Sequence, residues 1–129
     1  MKIISFSEVP DFLKQKELFQ ATITQLQKDL SWQNLELPLG ESPTVEELKI
    51  KLSSLFSYLE QGQYQTLMNI LYRVDVSEQQ IKKAMENVVD EPFSDVLAQL
   101  MLHRCLQKVI IKQHFSKEKN TDEQDLLNQ

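Results

Sequence analysis

The chain has 129 residues, of which 41% are hydrophobic and 26% are charged, and its formal net charge is −5. This length suits one globular domain, and the scarcity of glycine (2) and proline (4) favours helices over a β-rich fold. The negative charge disfavours nucleic acid or an anionic membrane as a partner, because binding to either depends on clustered Lys and Arg.

The single cysteine, Cys105, excludes an intrachain disulfide and a cysteine-rich zinc site. The segment MKIISFSEVPDF lacks the sustained apolar core of a signal peptide. No apolar run reaches the roughly 18 residues that a transmembrane helix needs. We therefore expect a cytoplasmic protein that has no membrane segment and no cofactor.

The first predicted helix begins near Glu8 or Phe12 and ends at Ser31, with Ser7 or Asp11 as its cap. The loop that follows, residues 32–43, contains two prolines and a glycine. Because its leucines alternate with polar residues, we expect this loop to lie against the core in extended form. Trp32 is then expected as a cover over the core, the alternative being a platform for a ligand. The apolar stripe of the first helix consists of Phe12, Phe19, Ile23, Leu26 and Leu30.

The second predicted helix starts at a capping box, in which Thr44 accepts from the N–H of Glu47 and the Glu47 carboxylate reaches back. Gly62 is expected to end it as a left-handed C-cap. The third helix covers residues 63–74, and the fourth begins at a second capping box made by Ser77 and Gln80. The second helix has the clearest apolar stripe of the chain: Val45, Leu48, Leu52, Leu55, Phe56 and Leu59.

The fifth predicted helix, residues 93–115, carries apolar residues on two sides. Its first half is apolar on one face, and from Leu102 onward the apolar face lies nearly opposite. A helix with this pattern is covered from two directions, so we expect it at the centre of the fold. The sequence thus predicts a single-domain all-α bundle of about five helices over residues 1–115, followed by a flexible polar tail over residues 116–129.

Five polar residues form the candidate ligand-binding site: Tyr72, Arg73, Asp75, His103 and Arg104. The group around Arg73 stands at a helix junction, where it could tie the corner together, with Arg73 paired to Asp75 or to a carboxylate from elsewhere, or could bind a small anion. No zinc, di-iron, calcium or phosphate-loop motif is present, so we assign no metal ligand and no catalytic residue.

Apolar residues in excess of the predicted stripes indicate an interface. Leu102, Leu106 and Ile110 on the long helix, with Ile50 and Tyr58 on the second helix, exceed what one face of each neighbour covers. Uncovered patches of this kind usually mark interaction surfaces. We therefore expect a protein partner or a homo-oligomer.

The run ILYRVDVSEQQIKKAM, followed after a break by LAQLMLHRCLQKVIIKQHFS, resembles small all-helical cytoplasmic proteins of the Bacteroidota that have no assigned function. The resemblance implies a bacterial helical bundle and transfers no functional residue. The leading hypothesis is a small protein-interaction or regulatory protein that can self-associate. The alternative is a small-ligand-binding or enzymatic protein that uses the five polar residues around Arg73.

Overall fold

The computed structural model describes residues 3–88 and 90–127, with side chains described as far as Ser116. This part of the chain contains six α-helices and no strand, and a short 3-10 turn at Phe6–Glu8 precedes the first helix. The all-α bundle is confirmed. The helices are α1 (Val9–Leu13), α2 (Lys16–Ser31), α3 (Val45–Gly62), α4 (Tyr64–Arg73), α5 (Glu78–Asn87) and α6 (Phe93–Leu127).

Helix α6 is the central helix and contacts α1, α2, α3 and α5. Both of its apolar faces are buried, as the change of side predicts: Leu97 and Met101 are fully buried on one, and Leu106 is fully buried on the other. The first face belongs to the main core with α2, α3 and α4, and Leu106 belongs to a second, smaller cluster with the residues before α2. Burial on two sides explains why α6 has no single polar face along residues 96–109.

The first predicted helix is divided into two. Gln15 has an extended backbone (φ −78°, ψ 117°), which ends α1 after Leu13 and starts α2 at Lys16. The single continuous helix expected there is therefore wrong. The division turns α1 onto α6, so that Val9 and Leu13 are buried against it.

Residues 3–13, which we call the strap, cover one face of α6. The Ile4 side chain is 1% exposed and packs in the smaller cluster with Leu106 and Val109. The Ile4 N–H donates to Gln107 Oε1 at 2.7 Å, and the Ile4 carbonyl lies 2.7 Å from His103 Nε2. The strap is therefore held by its backbone as well as by its apolar side chains.

The helix caps follow the local sequence in part. Ser77 and Gln80 form the complete capping box that starts α5, and Thr44 accepts from the Glu47 N–H at the start of α3. The return bond expected from the Glu47 carboxylate is not among the hydrogen bonds of the described residues. Gly62 is the last residue of α3 and has no positive φ, so its predicted left-handed cap is wrong, and the chain turns at Gln63 instead.

The loop between α2 and α3 lies against the core as its alternating leucines predict. Leu37 is buried, and Leu35 and Leu39 are half-buried against the main cluster. Gln27 of α2 binds both backbone groups of Leu37, donating to its carbonyl at 2.7 Å and accepting from its N–H at 2.9 Å. Trp32 does not pack against the core in this way. It is 62% exposed, so its predicted role as a cover over the core is wrong.

Helix α6 continues to Leu127, through most of the segment for which we expect a flexible tail. The side chains from residue 117 onward lie outside the described part. The domain boundary near residue 115 therefore stays a prediction.

Candidate functional site

A buried carboxylate, Asp29, lies where α2, α4 and α6 meet. Asp29 is on α2 and only 2% exposed. A charge in this position is unfavourable unless hydrogen bonds and opposite charges compensate for the water that it has lost. The side chains around Asp29 therefore have to supply this compensation.

Side chains from three helices surround the Asp29 carboxylate. Gln25, one turn earlier on α2, donates to Oδ2 at 3.1 Å. Lys108 of α6 donates to the same oxygen at 3.4 Å, and Nε of Arg73 from α4 lies 3.7 Å from Oδ1. Asp29 thus joins three helices through one carboxylate, and we call these four residues with Cys105 the Asp29 cluster.

Cys105 completes the cluster as a neutral thiol. Its Sγ lies 3.7 Å from Asp29 Oδ2, toward which it donates. Burial raises the pKa of the thiol far above its ordinary value, the Asp29 charge adds to this effect, and the nearby Lys108 and Arg104 oppose it. Because the thiolate is the reactive form, Cys105 is a structural donor here and is poorly suited to act as a nucleophile.

Trp32 and Arg73 form the exposed edge of the cluster. The Arg73 guanidinium carbon lies 3.8 Å from the centre of the Trp32 ring. Arg73 also pairs with the buried carboxylate of Asp29, while the Trp32 ring remains largely exposed. The ring contact and the ion pair together favour this orientation of the Arg73 side chain.

Three cationic side chains contact Asp29 or its neighbour Gln25. Lys112, one turn beyond Lys108 on α6, donates to Gln25 Oε1 at 2.6 Å. In the cationic row of Arg73, Lys108 and Lys112, the first two contact the Asp29 carboxylate and Lys112 contacts Gln25 beside it. In a chain whose net charge is −5, this is a local surplus of positive charge. We call the row together with Trp32 the Trp32 surface.

The five residues of the predicted ligand site do not converge. Tyr72 donates to Glu78 at 3.0 Å, Arg73 pairs with Asp29, and Arg104 pairs with Asp75 at 3.3 Å and donates to the Val74 carbonyl. His103 faces the strap, with its ring against Phe6 and its Nε2 against Ile4. Of the alternatives for Arg73, the structure selects a carboxylate from elsewhere in the chain.

Two of these contacts have a local role: one stabilises the turn at the end of α4, and the other is a hydrogen bond between two exposed side chains. Asp75 has a positive φ of 62° just after α4, and Arg104 holds its carboxylate, so this pair ties the corner to α6. The hydrogen bond from Tyr72 to Glu78 and the charge of Glu78 raise the pKa of the Tyr72 hydroxyl. Neither contact belongs to an enclosed cavity with His103.

The three predicted interface residues lie mainly inside the chain. Leu102 is 1% exposed and Leu106 is fully buried, so neither offers a free surface, and Ile110 is half-buried against the strap. The chain itself supplies the covering that we expected from a partner: Leu102 belongs to the main core, and Leu106 and Ile110 pack in the smaller cluster with the strap. Ile50 and Tyr58 of α3 are exposed, at 57% and 64%.

Sequence reasoning missed Asp29, Gln25 and the exposed position of Trp32. A signal for the first two was present: Thr22, Gln25 and Asp29 share one face of α2 at i, i+3 and i+7, and all three are buried. A polar stripe beside the apolar stripe of Leu26 and Leu30 can indicate a buried network. Nothing local in the sequence indicates its partners, because they lie on α4 and α6.

Comparison with known proteins does not extend these observations. No protein-family model matches the chain, and no curated protein or solved structure is similar enough to it to count as a match. Within the described residues, no helix is long and apolar enough to cross a bilayer. The same residues contain no group of three His, Cys, Asp or Glu side chains placed to hold a metal ion.

Proposed function

We propose that this chain is a small cytoplasmic protein-interaction domain that binds an acidic segment of a partner protein through the Trp32 surface. The observation that carries the proposal is the exposed Trp32 ring stacked on Arg73, which the buried Asp29 holds in place. Trp and Arg are the residue types most enriched among the side chains that dominate binding energy at protein interfaces.

The geometry of Arg73 favours an acidic partner. A guanidinium held over an aromatic ring can still offer N–H groups to a carboxylate, and planar bidentate pairing is the strongest form of such contacts. Lys108 and Lys112 extend the positive charge along α6. A partner segment with several Asp or Glu residues beside an apolar residue would suit this surface: its carboxylates would pair with the cationic row, and its apolar side chain would pack on the Trp32 ring.

The alternative of a small-ligand or enzymatic pocket receives no support from the geometry. Tyr72, Arg73, Arg104 and His103 engage four different partners in the described structure. Nucleic acid is also disfavoured, because the chain as a whole carries a net charge of −5.

The test uses Trp32 as its reporter, because it is the only tryptophan in the chain. Glutamate-rich peptides that contain one leucine should change its fluorescence as they bind, whereas lysine-rich peptides of the same length should not. Arg73→Ala should weaken binding by about tenfold or more. Arg73→Lys should also weaken it, because lysine keeps the charge and loses the planar stack.

Lys83→Ala is the matched control, since it removes one positive charge from an exposed position on α5. It should leave the affinity unchanged, and circular dichroism should show that all variants keep the helical fold. Equal weakening by Lys83→Ala and Arg73→Ala would mean that the peptides respond to overall charge alone, and the proposed surface would be wrong. Absence of binding by any acidic peptide would reject the proposed partner class.

A further inference from the structure

We propose that the strap is exchangeable between two copies of this chain, so that the α6 face holding Ile4 through His103 and Gln107 also accepts Ile4 from a second copy. The inference is independent of the Trp32 surface. It concerns a different face of α6 and a different partner, namely the same sequence in another molecule.

The α6 face recognises the strap as a peptide. Because the Ile4 carbonyl can only accept, His103 Nε2 carries the proton of that hydrogen bond, and Gln107 Oε1 accepts from the Ile4 N–H. His103 and Gln107 are one helical turn apart, so together they satisfy both backbone groups of one extended residue, as a neighbouring strand would. The Ile4 side chain fills the apolar site between them and α1, where it is 1% exposed.

The remaining strap contacts are also non-covalent and reproducible by a second copy. Val9 and Leu13 are buried in the same cluster as Leu106 and Val109 of α6. The Phe6 ring meets the His103 ring edge-on at 5.7 Å between centroids. A strap from another molecule would make the same set of contacts, so exchange changes only the conformation of the joint and the entropy of association.

The joint between the strap and the bundle is short and exposed. It consists of Lys14 and Gln15, which are both exposed. Two backbone hydrogen bonds close the turn at this point: Lys14 N–H to the Asp11 carbonyl at 3.3 Å and Gln15 N–H to the Phe12 carbonyl at 3.1 Å. Opening this turn leaves both α1 and α2 intact, and the strap can then leave once its contacts with α6 break.

The α6 face supplies the reason for a second copy to bind. With the strap released, Leu106, Val109 and Ile110 lose the part of their cover that Ile4, Val9 and Leu13 supply, and exposed apolar patches of this kind favour association. Among possible covers, the strap sequence is the one that the structure itself shows to fit. Leu106, Val109 and Ile110 are thus covered in part by the strap of the same chain or by the strap of a second copy.

The test compares three full-length variants of the joint by size-exclusion chromatography with light scattering over a wide range of concentration. Gln15→Pro removes the Gln15 N–H and disfavours the helical conformation of Lys14 (φ −67°, ψ −23°), so it should open the turn. Gln15→Pro should lower the dimer dissociation constant by about tenfold or more relative to Gln15→Ala. The alanine variant keeps the backbone N–H of residue 15 and leaves the conformation of Lys14 undisturbed. Insertion of Gly-Ser-Gly between Lys14 and Gln15 should lower the dimer fraction below that of the unmodified chain, because a longer joint favours closure within one chain.

The expected order of dimer fraction is therefore Gln15→Pro, then Gln15→Ala and the unmodified chain, then the insertion. An equal dimer fraction in all of them would place the dimer contact on another surface and overturn the proposal. A monomeric unmodified chain at the highest concentration, together with a Gln15→Pro variant that is monomeric or unfolded by circular dichroism, would overturn it as well.

Discussion

At the scale of single residues, Asp29 determines the polar interior of the bundle. Its carboxylate accepts from Gln25 and Lys108, lies near Arg73, and is 2% exposed. Attraction between buried opposite charges can be offset by the cost of removing them from water, so such a cluster specifies geometry more surely than it adds stability. Removal of one member is different, because the remaining charges then lack compensation.

Asp29→Asn should destabilise the fold by about 2 kcal/mol, since it leaves Lys108 and Arg73 without their carboxylate while preserving the shape of the side chain. This value is below that of a fully buried pair because the Lys108 and Arg73 side chains are 20% and 33% exposed. Urea unfolding followed by circular dichroism measures the change. Asp75→Asn is the control: its carboxylate is 71% exposed and Asn tolerates a positive φ, so its loss should stay within about 0.5 kcal/mol. Equal losses in the two variants would contradict a special role for Asp29.

Cys105 gives the stability a dependence on alkaline pH. The folded state raises the pKa of the thiol from its ordinary 9.0, mainly through burial. Below about pH 9 both states keep the proton and the contribution of Cys105 is complete; above it the unfolded chain releases the proton while the folded chain retains it, so stability falls as pH rises. Cys105→Ala should therefore lose less stability per pH unit above pH 9, by up to about 1.4 kcal/mol. Urea unfolding at several pH values would show parallel curves for the two proteins if this account were wrong.

At the scale of elements, side chains on helices hold residues that lie outside the helices, namely Leu37 and Ile4. Gln27 of α2 binds both backbone groups of Leu37 in the loop, and His103 and Gln107 of α6 bind both backbone groups of Ile4 in the strap. Backbone groups that leave the helical pattern still need partners when they are buried. In both places, amide or imidazole side chains bind backbone groups that would otherwise be paired within a helix or a sheet. The residue that they hold, Leu37 or Ile4, also has a buried apolar side chain.

Gln27→Ala should loosen the loop over residues 33–40 and destabilise the fold by about 1–2 kcal/mol, because the buried Leu37 N–H and carbonyl both lose their partner. Hydrogen exchange at the Leu37 amide should become faster relative to the amides of α3. Gln20→Ala, at an exposed position on the same helix, should change neither quantity. Unaltered exchange at Leu37 in Gln27→Ala would show that the leucine side chain alone fixes the loop.

At the scale of the whole molecule, α6 unites two hydrophobic clusters that lie on its opposite sides. The main cluster involves α2, α3 and α4, and the smaller one involves the strap. Burial of Ile4, Val9 and Leu13 contributes roughly 1.5–3 kcal/mol each by transfer from water, a large share of the stability of a domain of this size. The strap therefore contributes substantially to the stability of the bundle.

The sequence by itself determined the helical class, the caps at Thr44 and Ser77, and the two-sided burial of α6. These features depend on spacing and on hydrogen bonds between residues three or four apart, so they can be inferred from a local segment. Only the tertiary structure decided that Lys108 meets Asp29, 79 residues away, and that His103 binds Ile4, 99 residues away. Such pairs depend on how the helices pack and rotate against one another, and helical periodicity shows which face is apolar without showing which polar residue stands opposite.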